Sequence, residues 1–167
     1  MKLLVVDDDR QICEGVKMGI NWSEIGIDEV LTAFNGIEAM EIFKGCLPEI
    51  VLTDIRMPGA DGFEVLRAVK QRSPDTEVVM MTAYASVQSA VEAIKLGAYD
   101  YLQKPFDPDA AALVIGRALE RKRLREQAAS LRREIEGIYG FHSLVGKSAR
   151  MREVYTLLEQ GVDLAHP

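Results

Sequence analysis

Leu3-Leu4-Val5-Val6-Asp7-Asp8-Asp9 is the stretch on which the fold turns: four apolar residues run unbroken into three carboxylates. A strand with one wet face alternates apolar with polar residues. A short continuous apolar run is a strand covered on both faces. Ile50-Val51-Leu52-Thr53 ends the same way, in Asp54, and Val78-Val79-Met80-Met81 runs into Thr82. Val30-Leu31 and Tyr99-Asp100-Tyr101-Leu102 are weaker versions of the pattern. Amphipathic stretches lie between these runs. Ile12, Val16, Gly19 and Ile20 share one helical face, as do Phe63, Leu66 and Val69, and then Val87, Ala90, Val91 and Ile94. Gly97 is placed to stop a helix, and Gly36 lies between the second strand and the second helix.

Strand and helix thus alternate five times in about 110 residues, and right-handed crossovers then require a parallel sheet with helices on both faces. The expected fold is a flavodoxin-like, doubly wound five-stranded parallel sheet in the order 2-1-3-4-5. Its ligand site lies at the carboxyl ends of the strands, at the switch point beside strand one. The chemically capable residues fall where that rule puts them. Asp7-Asp8-Asp9 follow strand one, Asp54 ends strand three, Thr82 ends strand four, and Lys104-Pro105 follow strand five.

A chain of 167 residues can bury one good core with sequence to spare. Its 48% apolar and 28% charged residues are those of an ordinary soluble globular protein. No run of about 18 apolar residues is present to span a membrane, and the N-terminus turns acidic too soon for a signal peptide. Cys13 and Cys46 lack metal-ligand spacing and read as small core or half-buried residues in a reducing compartment. The expected location is therefore cytoplasmic. The net charge of −6 is unevenly spread. Residues 1–109 hold 10 basic against 19 acidic side chains, a balance of −9, and residues 110–167 hold 10 against 7, a balance of +3. The acidic part is a poor nucleic-acid binder but can concentrate divalent cations. The change of composition marks a boundary near residue 108.

Three adjacent carboxylates repel one another unless a cation compensates, and hard oxygen ligands with room for water suit Mg²⁺. Capping a helix needs only one acid, a task that falls to Asp9. Asp54, followed by Pro58 and Gly59, is on its own only a loop signal. A carboxylate is also a competent nucleophile toward phosphorus, provided that a metal and a cation neutralise the phosphoryl oxygens. The metal comes from the Asp7/Asp8 side, Lys104 is the cation, Thr82 supplies a hydroxyl, and Ala83 leaves space beside it.

The ordered set Asp7-Asp8, Asp54 within Asp-Ile-Arg-Met-Pro-Gly-Ala-Asp-Gly, Thr82-Ala83, Tyr101 and Lys104-Pro105-Phe106 resembles a bacterial response-regulator receiver domain, of the CheY-like fold, over residues 1–122. The resemblance implies that Asp54 accepts a phosphoryl group from the phosphohistidine of a sensor histidine kinase. It implies that Asp8, Asp54 and the backbone carbonyl of Arg56 hold Mg²⁺, with Asp7 acting partly through water. It further implies that Lys104 pairs with the phosphoryl group, that Thr82 moves toward it, and that Tyr101 changes rotamer in response. A cis peptide is expected at Lys104-Pro105. Arg56 and Tyr84, each two residues past a site residue, are expected to flank the phosphoryl group, where a bulky Tyr84 obstructs the hydrolytic water and lengthens its lifetime. Asn21-Trp22-Ser23-Glu24-Ile25-Gly26-Ile27 makes a longer first crossover than many receivers have, with Trp22 read as packing.

From Asp107 the chain reads helical to residue 139, an extended fifth helix that overlaps the receiver's end. With Ala128 and Ile135 at heptad position a, Leu124, Leu131 and Ile138 fall at d, a seam of about two heptads that implies a homodimerising linker. Arg117, Arg121, Lys122, Arg123, Arg125, Arg132 and Arg133 surround it, broken by Glu120, Glu126, Glu134 and Glu136. Interleaved acids mark a solvated, salt-bridged helix rather than a DNA-binding region, so no direct nucleic-acid binding is expected. Gly146-Lys147-Ser148 is not a phosphate-binding loop, since Phe141 stands where its first glycine belongs and no apolar strand leads in. Residues 140–167 instead resemble the start of the AAA+ ATPase domain of NtrC-type, sigma-54-dependent activators. The expected whole is a regulatory fragment of a longer activator that works with sigma-54 RNA polymerase. The competing reading is an aspartate-nucleophile phosphohydrolase of the haloacid dehalogenase type. That class needs an acid two residues past the nucleophile, and this chain has Arg56 there. A regulator that binds DNA on its own is disfavoured by the charge pattern and by the lack of a helix-turn-helix.

Overall fold

The computed structural model describes residues 1–139 and Thr156, with side chains described up to Ile135 in the last helix. The elements alternate as expected: β1 (Lys2–Val6), α1 (Arg10–Gly19), β2 (Glu29–Ala33), α2 (Gly36–Cys46), β3 (Ile50–Asp54), α3 (Gly62–Arg72), β4 (Glu77–Thr82), α4 (Val87–Lys95), β5 (Asp100–Gln103) and α5 (Pro108–Tyr139). The five strands form one parallel sheet in the order β2-β1-β3-β4-β5. The chain divides into a compact unit, Met1–Leu124, and a second unit, Arg125–Pro167.

The continuous apolar runs are buried on both faces because helices cover both. Leu3, Val5, Ile50, Leu52, Val79 and Met81 face α1 and the first turns of α5, where Ala111, Ile115, Ala118 and Leu119 meet them. Leu4, Val6, Val51, Val78 and Met80 point the other way, onto α2, α3 and α4. Every residue of β3 and β4 is buried. Trp22 packs in the first of these layers, its Nε1 donating to the Val16 carbonyl at 3.1 Å. Cys13 is buried there too, whereas Cys46 is exposed at the end of α2 rather than half-buried.

The helix starts are fixed locally. Asp9, Asn35, Asp61 and Ser86 each cap the helix that follows, and Asp61–Glu64 and Ser86–Ser89 form reciprocal capping boxes. Gly97, at φ +96°, follows the end of α4 in the left-handed region that a side chain would resist. Gly62 opens α3 pressed against the end of β3: a Cβ there would stand 2.1 Å from the Asp54 carbonyl oxygen. That close approach ties the α3 N-terminus to the strand that carries Asp54.

One expected face is covered only in part: of its four residues Ala90 is half-buried and the three branched ones are exposed. Val87, Val91 and Ile94 of α4 are 84%, 46% and 51% exposed, and the residue that α4 buries against the sheet is Ala93. A single small side chain lets the helix lie close, and the branched residues remain outside. The long helix does run through the expected linker seam, and Leu124, Leu131 and Ile135 are 59%, 58% and 54% exposed, with Ala128 exposed as well. The Ile138 side chain, Gly140, and the Gly146-Lys147-Ser148 segment fall outside the described residues.

Candidate functional site

The carboxyl edge of the sheet gathers the residues that the sequence scatters. Asp7 leaves β1 buried, with its backbone N–H bonded to the Ala33 carbonyl of β2 at 3.1 Å. Asp54 is the last residue of β3, buried and in register with Met81 of β4. Thr82 is the next residue of β4, buried and paired with Gln103 of β5. Lys104 follows directly, its N–H donating to the Thr82 carbonyl at 2.8 Å, and the Lys104-Pro105 peptide is cis, as expected. Strand order alone therefore brings one ammonium and the acids to a common edge.

Lys104 Nζ lies 2.5 Å from Asp7 Oδ2 and 2.9 Å from Asp54 Oδ1. Asp8 is exposed, but one oxygen from each of Asp7, Asp8 and Asp54 lies within 4.8 Å of the others. Three carboxylates facing one ammonium leave a formal −2 in this cluster. Asp7 Oδ1 accepts from the Asp9 N–H at 3.0 Å, and Asp54 Oδ2 from the Arg56 N–H at 3.0 Å. Asp54 Oδ1 is buried, and its partner among the described residues is the Lys104 ammonium, which it shares with Asp7. Three carboxylates sharing one ammonium, an all-oxygen set with surplus negative charge, fit a hard divalent cation such as Mg²⁺.

The electrostatics are those of a strained cluster. Burial holds the Asp7 carboxyl above its ordinary pKa, and the Lys104 ammonium opposes this only in part. Burial draws Lys104 down, but its bonds to Asp7 and Asp54 outweigh that and hold it above its ordinary value. The Cys13 thiol beneath Asp7 is pushed up to about 12 by burial and then by the Asp7 charge.

The remaining predicted residues surround this centre. Thr82 Oγ1 accepts from the Tyr84 N–H at 3.2 Å. Arg56 and Tyr84 make a contact that no sequence spacing announced: the guanidinium lies over the Tyr84 ring, 4.5 Å from its centroid. The pair links the β3–α3 loop to the β4–α4 loop on either side of Asp54 and Thr82. Tyr101 is half-buried on β5, and its hydroxyl sits 3.0 Å from Ser89 Oγ, the same atom that closes the α4 capping box. Two further features were missed. Arg10 stacks on Phe34 at 4.3 Å. An apolar cleft of about 480 Å³ opens beside Lys104, lined by Ile12, Gly15 and Val16 of α1 and by Pro105, Phe106 and Pro108. The helical periodicity of Ile12 and Val16 carried a signal for the cleft, but nothing in the sequence placed Phe106 against them.

Known proteins match this arrangement closely. A family model described as the response regulator receiver domain matches residues 3–115. NtrC of Escherichia coli is 34% identical over 155 residues, covering 92% of this chain and 31% of that protein. ZraR of Klebsiella oxytoca is 39% identical over 151 residues, 90% of this chain and 32% of that one. Crystal structures agree. NtrX from Brucella abortus superposes with a TM-score of 0.72 at 34% identity, covering 95% of this chain and 34% of NtrX. A receiver domain protein from Clostridium thermocellum gives 0.67 at 34% identity, over 74% of this chain and 97% of its own. The chain spans about a third of the length of the curated relatives it matches. Among the described residues no helix is long and apolar enough to cross a membrane. By its sheet, its carboxyl-edge residues and the match over residues 3–115, the chain belongs to the response regulator receiver domain family.

Proposed function

We propose that Asp54 accepts a phosphoryl group from the phosphohistidine of a sensor histidine kinase, and that the modified receiver switches a linker dimer controlling a downstream AAA+ ATPase and sigma-54 transcription. The observation that carries this reading is the buried Asp54 carboxylate at the end of β3, with the Lys104 ammonium 2.9 Å from its Oδ1 and the Asp7 and Asp8 carboxylates beside it. An ionised carboxylate keeps further lone pairs beside that one ammonium, and one of them can attack phosphorus. In the transfer, a bond forms between an Asp54 oxygen and phosphorus as the bond from phosphorus to the imidazole nitrogen breaks, and the imidazole keeps that electron pair. Lys104, already against Asp54, exchanges a carboxylate for a phosphoryl oxygen as its partner. Asp7, Asp8 and Asp54, with the Arg56 backbone carbonyl, would hold Mg²⁺, which when bound neutralises charge on the phosphoryl oxygens.

Phosphorylation adds a charge of about −1.5 to −2 at Asp54. Thr82 turns its hydroxyl from the Tyr84 N–H to the phosphoryl group, and Tyr101 follows, leaving Ser89. The cleft lined by Lys104 and otherwise by apolar residues supports a docking face for the phosphodonor, because it abuts the site. Leu124, Ala128, Leu131 and Ile135, exposed on one long helix, support a homodimer, with Ile138 continuing the seam. NtrC and NtrX, both matched over nine-tenths of this chain, support an NtrC-type activator as the whole protein, with residues 140–167 opening its ATPase domain.

Turnover as a phosphohydrolase lacks its proton donor, since Arg56 occupies that position and its guanidinium is stacked on Tyr84. The experiment is incubation with acetyl phosphate and Mg²⁺ followed by intact mass. One phosphoryl group per chain, lost in Asp54→Asn, supports the reading. Release of many equivalents of inorganic phosphate per chain with no phosphorylated chain accumulating refutes it.

A further inference from the structure

Arg121-Lys122-Arg123 are three successive basic residues on α5, and their side chains reach the amino edge of the sheet, the edge opposite Asp54, at the start of β4, at Tyr99 and at Gly26. Arg121 Nε lies 3.6 Å from Glu77 Oε1, and its guanidinium sits 5.3 Å from the centre of the Tyr99 ring. Lys122 Nζ donates to the Asp75 carbonyl at 3.3 Å. The Arg123 guanidinium lies over Gly26, where a Cβ would stand 2.4 Å from its Nη2, at a φ of +85° that already favours glycine. Glu77, the first residue of β4, is 1% exposed and has a second cation in Lys70, 3.7 Å away. A carboxylate that deeply buried is stable only when paired, so these contacts are specific in position rather than a diffuse surface attraction.

The apolar stripe that seats α5 on the sheet is Ala111, Ile115, Ala118 and Leu119. Two of the four are alanine, which offers little shape to resist sliding or rolling of the helix. The Arg121–Glu77 ion pair, with the Lys122 and Arg123 contacts, lies within one turn of the end of that stripe and fixes what it leaves loose. The start of α5, at Pro108, follows Lys104-Pro105-Phe106 at the phosphoryl edge. From there to Arg121 the helix rises roughly 20 Å, at about 1.5 Å per residue.

We infer that Arg121-Lys122-Arg123 is a clasp that, chiefly through buried Glu77, locks the last receiver-bound turn of α5 to the amino edge of the sheet. With that turn held, a displacement of the first turn by phosphorylation bears on the clasp instead of being absorbed by rolling of the whole helix. This inference rests on the proposed switching at Asp54, and its test separates the two.

The test is hydrogen exchange of α5 peptides in the full chain, with and without beryllofluoride and Mg²⁺. Four proteins are compared: the unaltered chain, Glu77→Gln, Arg121→Gln and, as a control for loss of one charge, Arg117→Gln at an exposed site of the same helix. Arg121 has a 44% exposed side chain, so its variant stays informative should Glu77→Gln fail to fold. Both clasp variants are expected to lose protection around residues 119–124 by about tenfold, and the control to lose none. The response of that peptide to beryllofluoride is expected to vanish in the clasp variants while the response at residues 108–112 persists. Protection within about twofold of the unaltered chain, or a full response at 119–124 in both variants, overturns the clasp. Intact-mass phosphorylation with acetyl phosphate is measured on the same samples. Its failure in the unaltered chain would sink the switch at Asp54, whereas the protection difference would still decide whether the clasp exists.

Discussion

Replacing Tyr84 with alanine is expected to shorten the life of the aspartyl phosphate, and the structure sets the size of the effect. The Arg56 guanidinium lies 4.5 Å from the Tyr84 ring centre, while the ring itself is 68% exposed. A cation–π contact at an exposed site contributes about 0.5–1 kcal/mol. If the stacked pair roofs the phosphoryl group, breaking the contact raises the open fraction, and with it the water-accessible fraction, by about two- to fivefold. Decay of phosphorylated Tyr84→Ala, followed by intact mass after removal of the phosphodonor, should accelerate by that factor. Arg56→Ala should accelerate decay by a similar factor, because it opens the same roof from the other side. The double variant should then decay no faster than about either single one, since the shared contact can be lost only once. Decay in Tyr84→Ala that is unchanged or slower refutes obstruction by the ring. Two accelerations that multiply show that the residues act separately and that their stacking has no part in the lifetime.

Other consequences are directly measurable. Asp7 is held above its ordinary carboxyl pKa of 3.8, so the metal-free fold binds its proton more tightly than the unfolded chain does. Asp7 therefore contributes a loss of stability as pH rises from below 3.8 through its raised pKa, and Asp7→Asn should raise the metal-free melting temperature while weakening stabilisation by Mg²⁺. Iodoacetamide at neutral pH should label the native chain once, at exposed Cys46, and reach Cys13 only after unfolding, since that thiol is buried with a pKa near 12; peptide mapping reads both sites. Leu131→Asp with Ile135→Asp should leave phosphorylation of Asp54 intact and shift the sedimentation mass to that of one chain; an unchanged dimer would place the interface elsewhere.

The strands were legible because a parallel sheet covered on both faces leaves an unbroken apolar run, and Leu3–Val6, Ile50–Thr53 and Val78–Met81 are such runs. The site was legible for a related reason: parallel strands end at one edge, so acids at strand ends converge whatever their separation along the chain. Asp7, Asp54, Thr82 and Lys104 could be assembled on that rule. What stayed hidden depends on side-chain packing between loops. The α4 stripe had helical periodicity, yet periodicity says only that Val87, Val91 and Ile94 share a face, and the sheet accepted small Ala93 instead. The stacking of Arg56 on Tyr84 joins two loops 28 positions apart with no periodic signal between them. The run Arg121-Lys122-Arg123 resembled a solvated face because charge alone does not reveal a buried Glu77 opposite it.

The most direct test of the account is to find the bond itself. Borohydride reduces an acyl phosphate to a primary alcohol, converting a phosphorylated aspartate to homoserine while leaving free carboxylates untouched. After reaction with acetyl phosphate and Mg²⁺, followed by borohydride and peptide mapping, homoserine is predicted at position 54 alone, approaching one per chain. Homoserine at Asp7 or Asp8, or none while phosphate is taken up, would contradict the assignment of Asp54 as the acceptor.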